Sequence, residues 1–192
     1  MKDLIQNIDN WFLLLINSHH NHFMDRVMWF ASGMSNWFPL YLVIMIFIAL
    51  AYKKESILLI LLIVPLILLS DQISSSIIKP LVHRLRPSHE PGLENILHYV
   101  NHYRGGLYGF VSSHSANFFA VGTYLVMTAS KRLRWLPLII VPVTGLVIYS
   151  RMYLGVHYPT DILCGAILGI LLGRMMAAIY NRLTRKTEPV ED

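Results

Sequence analysis

Charge is scarce in this chain. Only 14% of its residues are Asp, Glu, Lys or Arg, against 55% hydrophobic ones, and the mean hydropathy is +0.50. An ordinary soluble domain is excluded by that balance, and the long apolar runs predict a polytopic membrane protein of one domain. Cysteine is scarcer still. Cys164 stands alone inside an apolar run, which rules out an intramolecular disulfide or a thiolate metal site and leaves a small packed hydrophobe. No internal repeat is visible, and nothing resembles a carboxylate cage for a hard cation. The start, Met1-Lys-Asp-Leu, lacks a basic stretch, and no small-residue cleavage site follows the first apolar patch, so no cleavable signal peptide is expected. The formal charge of +5 comes from basic residues at segment ends rather than along one stripe. That placement argues against nucleic acid and for cytoplasmic membrane anchors.

Five segments are long enough to span a bilayer: residues 36–52, 57–78, 114–130, 135–150 and 161–180. A sixth span within 8–31 is the alternative, but that stretch is interrupted by Asn17-Ser-His-His-Asn-His22 and by Asp25-Arg26. Two interfacial helices suit it better. The expected architecture is therefore an all-α membrane helix bundle in a single domain, with interfacial helices over 1–35, a catalytic bundle over 36–180 and a cytoplasmic tail over 181–192. Lys53-Lys54, Lys131-Arg132-Leu-Arg134 and Arg182, Arg185 and Lys186 fall at every second crossing, which assigns those ends to the cytoplasm.

Three polar clusters, far apart in sequence, then share the outer face. The first is Lys79-Pro-Leu-Val-His-Arg-Leu-Arg86-Pro87, directly after the second span. The second, Val111-Ser112-Ser113-His114-Ser115, opens the third span, where free backbone N–H groups and the helix dipole favour an anion. The third is Ser150-Arg151-Met-Tyr-Leu-Gly-Val-His157-Tyr-Pro-Thr-Asp161. Arg151 offers a planar guanidinium for bidentate phosphate contact. Asp161, four residues beyond His157 and just inside a helix begun by Pro159, reaches back to one imidazole nitrogen and leaves the other free to attack. His114, beside the anion site, suits an acid-base role. Ionisable groups at a membrane boundary are costly and usually functional.

These motifs resemble those of the type 2 phosphatidic acid phosphatase (PAP2) superfamily. That family carries a lysine six residues before Arg-Pro, a Pro-Ser-Gly-His motif, and Ser-Arg followed by five residues, His, three residues and Asp. Lys79 with Arg86-Pro87 matches the first, and Ser150-Arg151, His157 and Asp161 match the third. In the second, Val111 replaces the proline and Ser113 the glycine, leaving Ser112 and His114 as the matching pair. The resemblance implies a short bacterial lipid phosphatase of the plasma membrane, its site facing outward. His157 is the implied nucleophile that forms a phosphohistidine, oriented by Asp161, with His114 protonating the leaving oxygen and later activating water. Lys79, Arg86, Ser112, Ser113 and Arg151 are implied to hold the phosphate oxygens, with no metal and no cofactor.

A site at the outer ends of helices is reached most easily by a lipid whose tails stay in the bilayer. Undecaprenyl diphosphate, a lipid A phosphate, phosphatidylglycerol phosphate and phosphatidic acid all fit, and the residues do not rank them. The connector Ser88–Gly109, with His89, His98, His102, Tyr103 and Arg104, is long enough to cover the pocket mouth. A phosphotransferase with the same intermediate, and a transporter or scramblase, are the alternatives. A haem protein would place His114 and His157 facing one another within helices rather than beside cations. Gly165, Gly169 and Gly173 form a small-residue stripe for helix packing. His19-His20-Asn-His22 reads as a polar break rather than a metal site.

Overall fold

The computed structural model describes residues 2–185 and is helical, with no strand among them. The chain begins with two short helices off the main bundle, α1 (Lys2–Ser18) and α2 (His22–Ser32). On α1 the residues Leu4, Ile5, Ile8, Trp11, Phe12 and Leu15 recur at helical spacing and are exposed, while Asp9, Leu13 and Asn17 lie buried on the other face. α1 is thus amphipathic, with an apolar face exposed and a mixed face packed inward. Asn21 separates the two helices and caps the second, its side-chain oxygen accepting from the Met24 N–H at 2.9 Å. The polar run 19–22 is thus a helix break, as its composition predicts.

A 3₁₀ turn, Met34–Trp37, leads into α3 (Phe38–Tyr52). The next long helix runs from Glu55 to Val82 in pieces: α4 (Glu55–Leu61), α5 (Ile63–Asp71), a π-helical stretch Gln72–Ile78, and α6 (Lys79–Val82). Pro65, which has no N–H to donate, accounts for the first interruption. The π stretch widens the last turns before Lys79, a distortion that recurs at functional sites. After the irregular segment 83–112 come α7 (Ser113–Thr128), α8 (Leu136–Tyr153) and α9 (Pro159–Arg185).

Four helices are long and apolar enough to cross a membrane: Met34–Tyr52, Glu55–Val82, Leu136–Tyr153 and Pro159–Thr184. The remaining predicted span is α7, a helix of 16 residues continued by one 3₁₀ turn over Ala129–Lys131. It is the most enclosed element, and it packs along α9. A Cβ on Gly165 would stand 2.5 Å from the Ser112 carbonyl oxygen and one on Gly173 2.5 Å from that of Ala120, and Gly169 meets Ala116 in the same way. The predicted glycine stripe therefore lets two helix backbones touch. Lipid tails are as apolar as leucine, so in a bilayer close packing of this kind, rather than hydrophobic burial, holds helices together. Leu42, Val43, Ile46 and Leu50 on α3, with Leu163, Ile167 and Leu171 on α9, face outward as lipid contacts.

The basic segment ends gather at one end of the bundle. Tyr52 donates its hydroxyl to the Thr128 carbonyl at 2.9 Å, Arg132 reaches the Ala51 carbonyl at 3.0 Å, and Lys131 lies 3.5 Å from Asn181. Lys186 and the rest of the predicted tail, 186–192, lie outside the described residues.

Candidate active site

The opposite end is assembled around the turn between α8 and α9. Gly155 adopts φ +68°, which only glycine enters without strain, and the turn closes through Val156 N–H to the Arg151 carbonyl at 3.1 Å. This reversal places Arg151, in the last turn of α8, beside His157 and the start of α9. His157 is 1% exposed. Its Nδ1 faces Asp161 Oδ2 at 3.4 Å, a loose contact of the kind that tightens when a substrate is bound. The same carboxylate oxygen accepts the Tyr158 N–H at 3.1 Å. The ring also hydrogen-bonds the Gly109 backbone, and Arg86, Arg151 and Lys79 lie close enough to act on it.

Arg86 arrives from the irregular segment. Residues 84–86 pair with 107–109 in a short antiparallel contact, Arg86 N–H to Leu107 O at 3.0 Å and Gly109 N–H to Arg84 O at 2.9 Å. The Arg86 Nε then donates to the Tyr108 carbonyl at 3.1 Å. Gly109 is required at this spot, because a Cβ there would sit 2.9 Å from Asp161 Oδ2. Lys79 donates to Ser113 Oγ at 2.7 Å, and that hydroxyl is also 2.8 Å from Ser75 Oγ. Ser112 caps α7: its Oγ accepts the Ser115 N–H at 3.4 Å, while its own N–H donates to the Asp161 carbonyl at 3.0 Å. His114 hydrogen-bonds the backbone of Ser32.

Arg151 is almost completely buried. One Nη donates to Ser32 Oγ and the other to the Tyr103 hydroxyl at 3.3 Å, whereas its Nε is buried with no hydrogen-bond partner among the described residues. The three motifs therefore converge, as the sequence predicts, and all eight predicted residues lie in one region. Their cations act on His157. Burial, followed by Arg86, Arg151 and Lys79, pushes its pKa well below the usual 6.5, so the imidazole is neutral and available for attack. Burial resists ionisation of the Tyr103 phenol, but Arg151 and Arg86 outweigh it and hold its pKa below 10. Among the described residues no group of three His, Cys, Asp or Glu side chains is placed to hold a metal ion.

Four participants escape the sequence reading. Arg84 bonds Asp161 Oδ1 at 2.8 Å and Asp9 Oδ2 at 2.6 Å. Ser32, at the end of α2, meets Arg151, and Ser75 meets Ser113. The one available signal was Asp9 itself: a lone carboxylate sharing a helix face with Leu13 and Asn17 needs a buried partner. The connector 88–109 packs over this end, with Leu93 and Leu97 against Leu13 and Tyr158. Asn17 holds it there, accepting the His98 N–H at 2.8 Å and donating to the His98 carbonyl at 3.0 Å.

With this geometry in place, the comparison with known proteins is decisive. Residues 58–185 match the model of the PAP2 superfamily. The chain belongs to that superfamily. It is a multi-pass membrane phosphatase, as the resemblance of its motifs implied. Two curated relatives are named lipid A 4'-phosphatase. The one from Bacteroides thetaiotaomicron is 35% identical over 98% of this chain and 84% of its own length, and the one from Porphyromonas gingivalis is 32% identical over 93% and 75%. The crystal structure of a PAP2-type phosphatidylglycerolphosphate phosphatase from Bacillus subtilis superposes with a TM-score of 0.69 at 23% identity, covering 98% of this chain and 90% of that one, and so shares the PAP2 fold.

Proposed function

We propose that this membrane lipid phosphatase hydrolyses a phosphomonoester on the head group of lipid A, through a phosphohistidine on His157 and without a metal. The observation that carries the chemistry is the buried, neutral His157, in contact with Asp161 and within the field of Arg86, Arg151 and Lys79. In the first step the Nε2 lone pair of His157 attacks phosphorus in line and the P–O bond to the lipid breaks, His114 giving its proton to the departing oxygen. In the second, His114 takes a proton from water, whose oxygen displaces His157 and releases inorganic phosphate. Arg86, Arg151 through its free Nε, and Lys79 stabilise the equatorial oxygens in a loose transition state. Ser112 serves through its position at the start of α7, where backbone N–H groups point toward the anion. Ser113 orients Lys79.

The choice of lipid A over the other candidate lipids rests on the names of the two relatives that cover nearly the whole chain. The distribution of basic ends supports a site on the outer face of the bacterial inner membrane. The test is phosphate release by the purified protein in detergent from lipid A, undecaprenyl diphosphate, phosphatidylglycerol phosphate and phosphatidic acid, with EDTA present and His157→Ala as control. Release from lipid A in preference to the others, lost in His157→Ala, is expected. EDTA-sensitive release, or release by a folded His157→Ala protein, would overturn the mechanism.

A further inference from the structure

Arg84 falls within the first motif but is not one of its matching residues, yet its guanidinium makes four side-chain hydrogen bonds. Nη1 donates to Asp161 Oδ1 at 2.8 Å and to Thr160 Oγ1 at 2.7 Å; Nη2 donates to Asp9 Oδ2 at 2.6 Å and to Gln6 Oε1 at 3.1 Å. The ring of Tyr158 lies beneath it, with its centroid 4.1 Å from Cζ. Asp9, completely buried, is equally well used. Its Oδ1 accepts the Thr160 N–H at 3.0 Å and its Oδ2 accepts from Thr160 Oγ1 as well as from Arg84. That N–H belongs to the first turn of α9, the helix that carries Asp161. Asp9 therefore caps α9 from a different helix, supplying the acceptor that a local cap residue would otherwise provide.

We propose that Asp9 and Arg84 are positioning residues for the dyad, forming a line Asp9–Arg84–Asp161–His157 in which α1 sets the orientation and effective charge of the catalytic carboxylate. The proposal rests on the phosphatase reading above. Its logic is geometric. With Oδ1 of Asp161 held by Arg84, the carboxylate plane is fixed and Oδ2 is the oxygen presented to His157 Nδ1. An arginine bonded to Asp161 alone would cancel much of the negative charge that should steady the imidazolium-like phosphohistidine. Asp9 divides that positive charge between two carboxylates, so the set of three retains one net negative charge facing His157. The relay also ties α1 to the bundle: α1 is the only described element outside the bundle and its connector that bonds both Arg84 and the start of α9.

The test is a double-mutant cycle on the full-length protein in detergent, reading phosphate release and single-turnover labelling of His157 from lipid A and, in parallel, from phosphatidic acid. Arg84→Met would strand two buried carboxylates and endanger folding, so Asp9→Asn is the primary variant and Arg84→Lys the second. Asp9→Asn is expected to lower kcat by about tenfold to a hundredfold, the scale of one lost charge-assisted hydrogen bond, with KM changed less than about twofold. Asp9→Glu should recover most of that loss. In an Asp161→Asn background the further substitution Asp9→Asn should cost nothing more, because the carboxylate through which it acts is gone. Equal losses in both backgrounds, a change confined to KM, or unaltered kcat in Asp9→Asn and Arg84→Lys would overturn the relay while leaving the phosphatase reading intact. Absence of His157-dependent release by the wild-type protein from either lipid would overturn both.

Discussion

Arg132 and Arg84 each pair with acidic side chains, one at either end of the bundle. Arg132 meets Glu55 at 3.1 Å with both side chains about half exposed, 48% and 51%. Arg84 meets Asp9 and Asp161 at 2.6 and 2.8 Å, and neither carboxylate has any exposed surface. Water and salt screen the first pair, which is worth roughly 0–1 kcal/mol. The second is shielded, so removing one partner leaves a buried charge uncompensated, at about 3–5 kcal/mol. Similar chemistry thus anchors a helix end in one place and organises a reaction centre in the other. Burial makes the difference, and burial at the active-site end is created by α1, α2 and the connector 88–109 folding over it.

The sharpest way to test that contrast is at the two ends themselves. His157→Ala should abolish turnover, because it removes the proposed nucleophile; release of phosphate above the no-enzyme level by the folded variant would contradict this. Asp161→Asn should follow, with kcat lower by about 10³ to 10⁴, the scale seen when a dyad loses its orienting carboxylate, and with the thermal midpoint in detergent showing whether the fold survives. Arg151→Lys should cost about a hundredfold in kcat/KM, since a lysine cannot reproduce contacts to Ser32, Tyr103 and a phosphate oxygen at once. Arg132→Gln at the other end should change activity by less than about twofold and stability by less than about 1 kcal/mol. A large loss there would mean that the two ends are energetically coupled.

Acidity separates the ends in a further way. His157 is held neutral when folded and recovers its ordinary pKa near 6.5 when unfolded. The unfolded chain therefore binds more protons, and stability rises with pH through that range and falls on acidification below about 6.5. The midpoint of unfolding should drop between pH 7 and pH 5, and His157→Gln should shallow the slope. An identical slope in the variant would mean that other groups carry it.

Much of this was legible along the chain. The low charge and long apolar runs specify membrane helices because a bilayer tolerates little else. His157 and Asp161 are four apart at a helix start, so local geometry alone brings carboxylate to imidazole. The glycine stripe, repeating every four residues, marks one face of α9 whatever it packs against. Other features were not legible, for equally physical reasons. The π stretch before Lys79 leaves no mark in composition. That α7 is the helix the glycine stripe of α9 touches is a result of packing. The Asp9 and Thr160 that bond one another are 151 positions apart, and an acid on an amphipathic helix carries no label for its partner.

The sequence by itself determined the solvent, the helices and the reactive groups, since periodicity, hydropathy and motif spacing are properties of the chain's own order. Only the tertiary structure decided which cations reach His157, which serine is occupied by Lys79 and which carboxylate steadies Arg84. Those depend on distances of a few ångströms between segments far apart in the chain, and on the burial that gives each charge its strength.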